Sequence, residues 1–313
     1  MSWLLVAFTG YALLAVASIS DKFLLSERRI GAPALYAFFT ALTSLPFLAL
    51  VPFGFVFFIP TAIAFGTFSG FLFLFGLLSS YRAIKRSEVS RVAPLVGVAT
   101  TGFLFALSAF SSFSSGGSVA PVDVLSLALL VSGGVLLATG GKGIRGPGFT
   151  RDVLVSGALF AASYIMLKES YLLSDFATGF VWSKLGMFLG GIALLLLPSS
   201  RRSILSGQER FSGSAKRTVG TAAFFLLNQG FGGAGTILVS YAVSLGPATF
   251  IQGMNGAQYG LVFLLAMTLS IRFPSIFREH ISRSGMLRKC FAIILLSLGI
   301  WLIAYGGSTD GFL

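Results

Sequence analysis

SYRAIKRSEVSRVAPL, residues 80–95, sets four basic residues and one acid between two long apolar runs. SYAVSLGPATFIQGMN, residues 240–255, opens on the same Ser-Tyr pair and carries no charge at all. In a soluble protein the first stretch would be a candidate phosphate-binding or catalytic cluster; between membrane spans it marks the edge of the bilayer. Composition decides between the two. The 313 residues are 55% hydrophobic and only 10% charged, with a mean hydropathy of +0.91, far from the balance of a soluble domain.

A bilayer core takes about 20 consecutive apolar residues per helix. Ten predominantly apolar windows meet that need, at 3–24, 33–55, 57–80, 90–111, 121–140, 153–173, 178–197, 219–243, 248–271 and 288–306. Runs such as GFLFLFGLL (70–78) do not alternate as barrel strands must. The expected class is an all-α polytopic membrane protein with ten transmembrane helices. MSWLLVAFTGYALLAVASIS lacks the positive start of a secretory signal and reads as the first span.

The net charge of +12 would suggest nucleic acid in a soluble chain, but its placement says otherwise. All of the 22 lysines and arginines except Lys168 and Lys184 fall near the odd-numbered connections, on one side of the membrane. The positive-inside rule makes that side cytoplasmic and puts both termini outside.

Sliding the chain on itself by 146 residues lays Lys22 on Lys168, Tyr36 on Trp182 and Pro52 on Pro198; a shift of 160 lays residue 80 on 240. SGGVLL (132–137) and SLGIWL (297–302) close the two halves. Five spans per half is an odd number, so the halves, 1–141 and 151–307, are expected to be inverted five-helix repeats, with a solute site near the midplane between them.

DKFLLS at the end of the first helix, YRAIKRSEVSRVAPL, YAVSLGPATFIQGMNGAQY and FPSIFREHISRSGMLRKCFAIILLSLGIWLI together resemble the EamA-like members of the drug/metabolite transporter superfamily. The resemblance spans essentially the whole chain. It implies a secondary transporter, often an exporter of amino acids, metabolites or drugs, with no cofactor. It also implies cytoplasmic termini, against the charge count. Alternative readings are an antiporter or flippase for phosphorylated or lipid-linked metabolites, with Lys184, Lys22 and Lys168 meeting phosphate, and a non-transporting membrane scaffold or sensor.

Ionisable groups inside a span cost at least ~2.5 kcal/mol at the bilayer centre, so each is a functional candidate. Lys184 lies about six residues into its window, roughly 9 Å along a helix; it either snorkels to the interface or faces a cavity. Asp21 and Lys22, adjacent and so on different helix faces, are candidates for coupling or gating, as is Lys168. Glu88 and Arg91 are spaced to pair at the mouth of the fourth helix.

Gln252, Asn255 and Gln258 or Tyr259 form one helical stripe, as cavity lining or as interhelical hydrogen bonds. Asn228, with Gln229 beside it, is a similar candidate. Tyr36 and Trp182 are either aromatic-belt residues or paired cavity walls. GTFSG (66–70), GMFLG (186–190) and GAQYG (256–260) invite close helix approach, and GFGGAG (230–235) a hinge.

An enzyme is not expected. His280 stands alone, Cys290 is the single thiol, and the aspartates are scattered. The expected partners are a small-molecule solute, membrane lipids and, as a homodimer, a second copy of the chain. Nucleic acid is not among them, and the expected location is the plasma (inner) membrane.

Overall fold

The computed structural model describes residues 2–25, 32–53, 59–87, 89–114, 121–138, 148–211, 215–246, 248, 251, 254–272 and helical positions scattered between 287 and 302. Among the described residues every regular element is helical. α1 (Ser2–Leu24), α2 (Pro33–Leu42), a 3-10 helix (Leu45–Phe53), α3 (Pro60–Arg86), α4 (Val89–Ser114) and α5 (Pro121–Ala138) make the first half. α6 (Phe149–Leu173), α7 (Phe176–Leu196), α8 (Pro198–Phe211), α9 (Ala215–Leu245) and α10 (Asn255–Arg272) follow. Pro33 and Pro60 sit in the first turns of α2 and α3, where a missing N–H is harmless. Asp175 caps α7 by accepting from the Thr178 N–H at 2.7 Å.

Five helices, Trp3–Leu24, Pro60–Arg86, Phe149–Leu173, Phe176–Leu196 and Val219–Leu245, are long and apolar enough to cross a membrane. Their outer faces are apolar as well: Leu5, Phe68, Leu172, Leu196 and Leu227 are all exposed. Helices that are apolar all round suit lipid rather than water.

Three segments differ from the sequence reading. The 33–55 window is not one α-helix: α2 stops at Leu42, and the chain turns before a 3-10 helix that contains Pro52. Pro46 lacks an N–H and its ring crowds the carbonyl four residues back, while the Ser44 hydroxyl binds the Ala41 carbonyl at 2.6 Å and ends the turn. The 80–95 stretch is not a loop, because α3 runs to Arg86 and α4 begins at Val89. Residues 198–211, expected as connection, form α8, which buries Ile204 against α2 and exposes Arg201 and Arg202.

Helix α3 is the centre of the packing. Against antiparallel α6 it meets a ladder of serines at heptad spacing. Ser156, Ser163 and Ser170 donate to the carbonyls of Gly76, Ser69 and Ala62, each at 2.9 Å. The Ser69 and Ser163 hydroxyls also meet each other at 3.2 Å. At the end of this pair Arg86 forms an ion pair with Asp152 at 2.8 Å, and Gly148, in the left-handed conformation at φ +82°, leaves room beside that guanidinium.

Against parallel α7 the approach is closer still. A Cβ on Gly70 would land on the Ser183 backbone and one on Gly186 on the Thr67 backbone, so two of the expected small-residue motifs do form a crossing. α9 stays helical through GFGGAG, and Gly235 lies against Gly10 of antiparallel α1.

The contacts recur when the α1 residues are shifted by 146, as in the sequence, and the α3 residues by 159, one short of the sequence match. Lys22 on α1 donates to the carbonyls of Ile84 and Ser87, at 3.1 and 2.8 Å, at the end of α3. Lys168 on α6 donates to those of Val243 and Gly246, both at 3.0 Å, at the end of α9. Gly76 faces Phe160 as Gly235 faces Leu14. Because α3 and α6 run antiparallel, the two lysine clamps lie at opposite ends of the bundle, the first at the end that carries Arg82, Lys85 and Arg86.

The crossing makes a direct prediction. Gly70→Ala, which forces its Cβ into backbone, lowers stability by about 1–3 kcal/mol, the range for overpacking, read as a lower unfolding midpoint in detergent. Gly102→Ala, inside α4 with nothing within 4 Å of the added Cβ, does not lower the midpoint, since Ala is the better helix former.

Candidate functional site

A cavity of about 230 Å³ lies in the middle of the bundle. One face of α1 lines it with Tyr11, Leu14, Ser18 and Asp21, at three- to four-residue spacing. α9 contributes Asn228, Gln229, Gly232, Gly233 and Thr236, and α10 contributes Asn255, Gln258 and Tyr259. Lys184 and Met187 of α7 close another side. At the Lys168 end an apolar cluster of Ala7, Leu167, Phe180, Val243 and Met254 shuts the bundle. There the Tyr11 hydroxyl donates to the Ile251 carbonyl at 2.8 Å.

At the other end stands Asp21. Its Oδ1 accepts from the Tyr36 hydroxyl and from the Asn228 amide at 2.7 Å, and that amide also reaches the Tyr36 oxygen at 3.1 Å. Tyr36 is fully buried, with its ring edge-on to Tyr81 at 4.7 Å and to Phe225 at 5.4 Å. One turn along α2, Thr40 accepts from Gln229 at 2.9 Å, and Gln258 donates to Ser18 at 2.9 Å. Asn228 is 4% exposed, and its Oδ1 has no donor among the described residues. Hydrogen bonds to a charged group are each worth about 1.5–3 kcal/mol, so this network holds the carboxylate in one place, with no hydrogen bond to its Oδ2 among the described residues.

Lys184 faces the cavity rather than the interface and is 7% exposed. Its ammonium lies 4.7 Å from the Phe180 ring centre, 5.1 Å from Phe47 and 5.9 Å from Phe73. A buried ammonium with no counter-ion is costly, ~2.5 kcal/mol or more at the centre of a span; a desolvated cation–π contact returns about 2 kcal/mol. Among the described residues it has no ion-pair partner, the salt bridge found being Arg86 to Asp152. The Ser44 hydroxyl binds the Lys184 carbonyl at 3.0 Å and fixes this turn of α7 against the turn that follows α2.

Of the predicted residues, the structure brings Asp21, Lys184, Asn228, Asn255, Gln258 and Tyr259 onto one cavity. Tyr36 stands behind Asp21 and positions it. Trp182 does not join Tyr36 as a second wall: its Cβ packs on Gly66 of α3, on the side of α7 away from the cavity lining. Lys22 and Lys168 hold helix ends rather than line the cavity. Gln252 and Glu88 lie outside the described residues, as does the side chain of Arg91. Tyr11, Ser18, Thr40 and Tyr164 line the cavity without having been expected; single hydroxyls in apolar helices carry no signal, though Tyr11, Ser18 and Asp21 share one helical stripe. Among the described residues no group of His, Cys, Asp and Glu could hold a metal ion.

The clamp reading of Lys168 has its own test. Lys168→Met removes both bonds to the end of α9 and lowers stability by about 2 kcal/mol, measured as the unfolding midpoint in detergent; an unchanged midpoint would show that the clamp bears nothing.

No protein-family model and no curated protein matches the sequence. Among solved structures, one described as "Crystal structure of protein" matches at 16% identity and a TM-score of 0.58, over 97% of this chain and 99% of its own. The likeness is of fold alone, and it covers the whole bundle rather than one half.

Proposed function

We propose that this chain is a secondary transporter that moves a small organic solute across the membrane by alternating access. The observation that carries the reading is the central cavity, which is lined by a partly buried aspartate and a buried lysine that form no ion pair with each other. A structural pair would meet; groups held apart in a shared cavity are placed for something that comes between them. The arrangement also suits a carrier, since the cavity is shut by apolar packing at the Lys168 end and reaches Ser80, Tyr81 and Ile84 towards the basic end.

On this reading the ten sequence windows are ten spans in two inverted five-helix repeats, 1–141 and 151–307, and the matched lysine clamps are their repeated hinge points. The basic end is cytoplasmic by the positive-inside rule, the location is the plasma (inner) membrane, and the driving force is a solute or ion gradient. The resemblance to EamA-like drug/metabolite transporters points the same way. A carrier of phosphorylated metabolites is less well supported, because Lys22 and Lys168 are engaged with backbone carbonyls and Asp21 would repel a dianion.

The test is solute flux into proteoliposomes. Gly232 lines the cavity, and a Cβ there meets only Ala17 at 3.6 Å, so the backbone accepts a side chain at this position and Gly232→Leu is chosen to fill the cavity. Saturable flux is expected in the wild type and a loss of at least tenfold in Gly232→Leu, with an unchanged unfolding midpoint. Equal flux in both would place the pathway elsewhere.

A further inference from the structure

Two unlike charges in a low-dielectric cavity attract strongly, yet Asp21 and Lys184 are held apart by separate anchors. Asp21 is pinned by Tyr36 and Asn228. Lys184 is seated among three aromatic rings, with its backbone tied to Ser44. Helix α9 serves as a ruler between them. Asn228 touches Asp21, while Gly233 abuts Phe47, the ring beside the lysine ammonium. Thr236, one turn on, lines both this cavity and a smaller one of about 70 Å³ that shares Lys184.

Five to eight residues separate these levels, ~8–12 Å at 1.5 Å per residue. The Asn228 side chain leans towards the start of α9, away from Gly233, which lengthens the gap. Hydrogen bonds of about 2.8 Å at each end still leave several ångströms for the solute. Leu77, Phe160 and Met187 supply apolar lining for its chain.

We propose that the cavity takes an extended zwitterion, a solute whose amine and carboxylate are separated by several bonds, with the amine at Asp21 and the carboxylate at Lys184. The class is that of ω-amino acids and short dipeptides. An α-amino acid, with both groups on one carbon, reaches one pole and leaves the other unpaired. The inference rests on the carrier reading for its consequence, but its evidence is binding.

The test is titration calorimetry on the purified full chain in detergent. The probes are 4-aminobutanoate, 6-aminohexanoate and glycylglycine, set against glycine, butylamine, butanoate and sodium chloride. At least one extended zwitterion is expected to bind tenfold or more tighter than every control. Lys184→Met and Asp21→Asn should each weaken it at least tenfold, with Lys184→Arg recovering most of the loss. Ligand-free unfolding midpoints report whether each variant is folded; should Asp21→Asn fail to fold, the wild-type panel and the two Lys184 variants decide.

Glycine, butylamine or butanoate binding as tightly as the extended probes overturns the proposal, as does sodium chloride alone saturating the site, binding unaffected by Lys184→Met, or no binding by any probe. Failure here leaves flux of another solute, and its block by Gly232→Leu, intact. Binding of an extended zwitterion without flux would instead remove the carrier reading and keep the site.

Discussion

The serine ladder between α3 and α6 is the contact on which the rest of the arrangement depends. Hydrocarbon gives apolar side chains no preference for one another over lipid, so helices associate through close packing and hydrogen bonds. Ser156, Ser163 and Ser170 supply both, since each is small and each donates to a carbonyl of α3. With α6 on one side and the Gly70–Gly186 crossing to α7 on another, two faces of α3 are committed. The remaining face, Phe73, Leu77, Ser80 and Ile84, lines the cavity.

The same frame explains why two lysines of similar sequence context do different work from a third. Lys22 and Lys168 meet helix C-termini, where the last carbonyls have no intrahelical partners and the helix dipole favours a cation. They satisfy backbone that would otherwise lie unpaired beside apolar side chains. Lys184 has no such acceptor among the described residues and lies instead over ring faces.

Much of this was legible in the sequence. Windows 3–24 and 178–197 fall almost on α1 and α7, because long apolar runs leave little choice of boundary. The 33–55 window failed at Pro46, since hydropathy registers side chains and not the loss of a backbone donor. Asp21 and Lys184 stood out as charges in apolar runs, and the Asn255–Gln258–Tyr259 stripe followed from helical periodicity. What could not be read was partnership. Asp21 and Asn228 lie far apart in the chain, and their contact exists only because α1 and α9 cross antiparallel. The acceptors of Lys22 and Lys168 are carbonyls, which no sequence displays, and the alignment of Trp182 with Tyr36 gave no hint that Trp182 packs against Gly66 of α3 while Tyr36 backs Asp21.

The 146-residue shift that superposes the clamps puts Leu167 opposite Asp21 and Phe38 opposite Lys184. The repeated contacts therefore belong to the frame, while the cavity's charges are unlike in its two halves. On the proposed reading, a cargo bound between unlike ends has a head and a tail and one way to lie. On the proposed carrier reading, if the surrounding helices tilt without turning it over, the end that entered first also leaves first, so the two openings meet chemically different faces of one molecule.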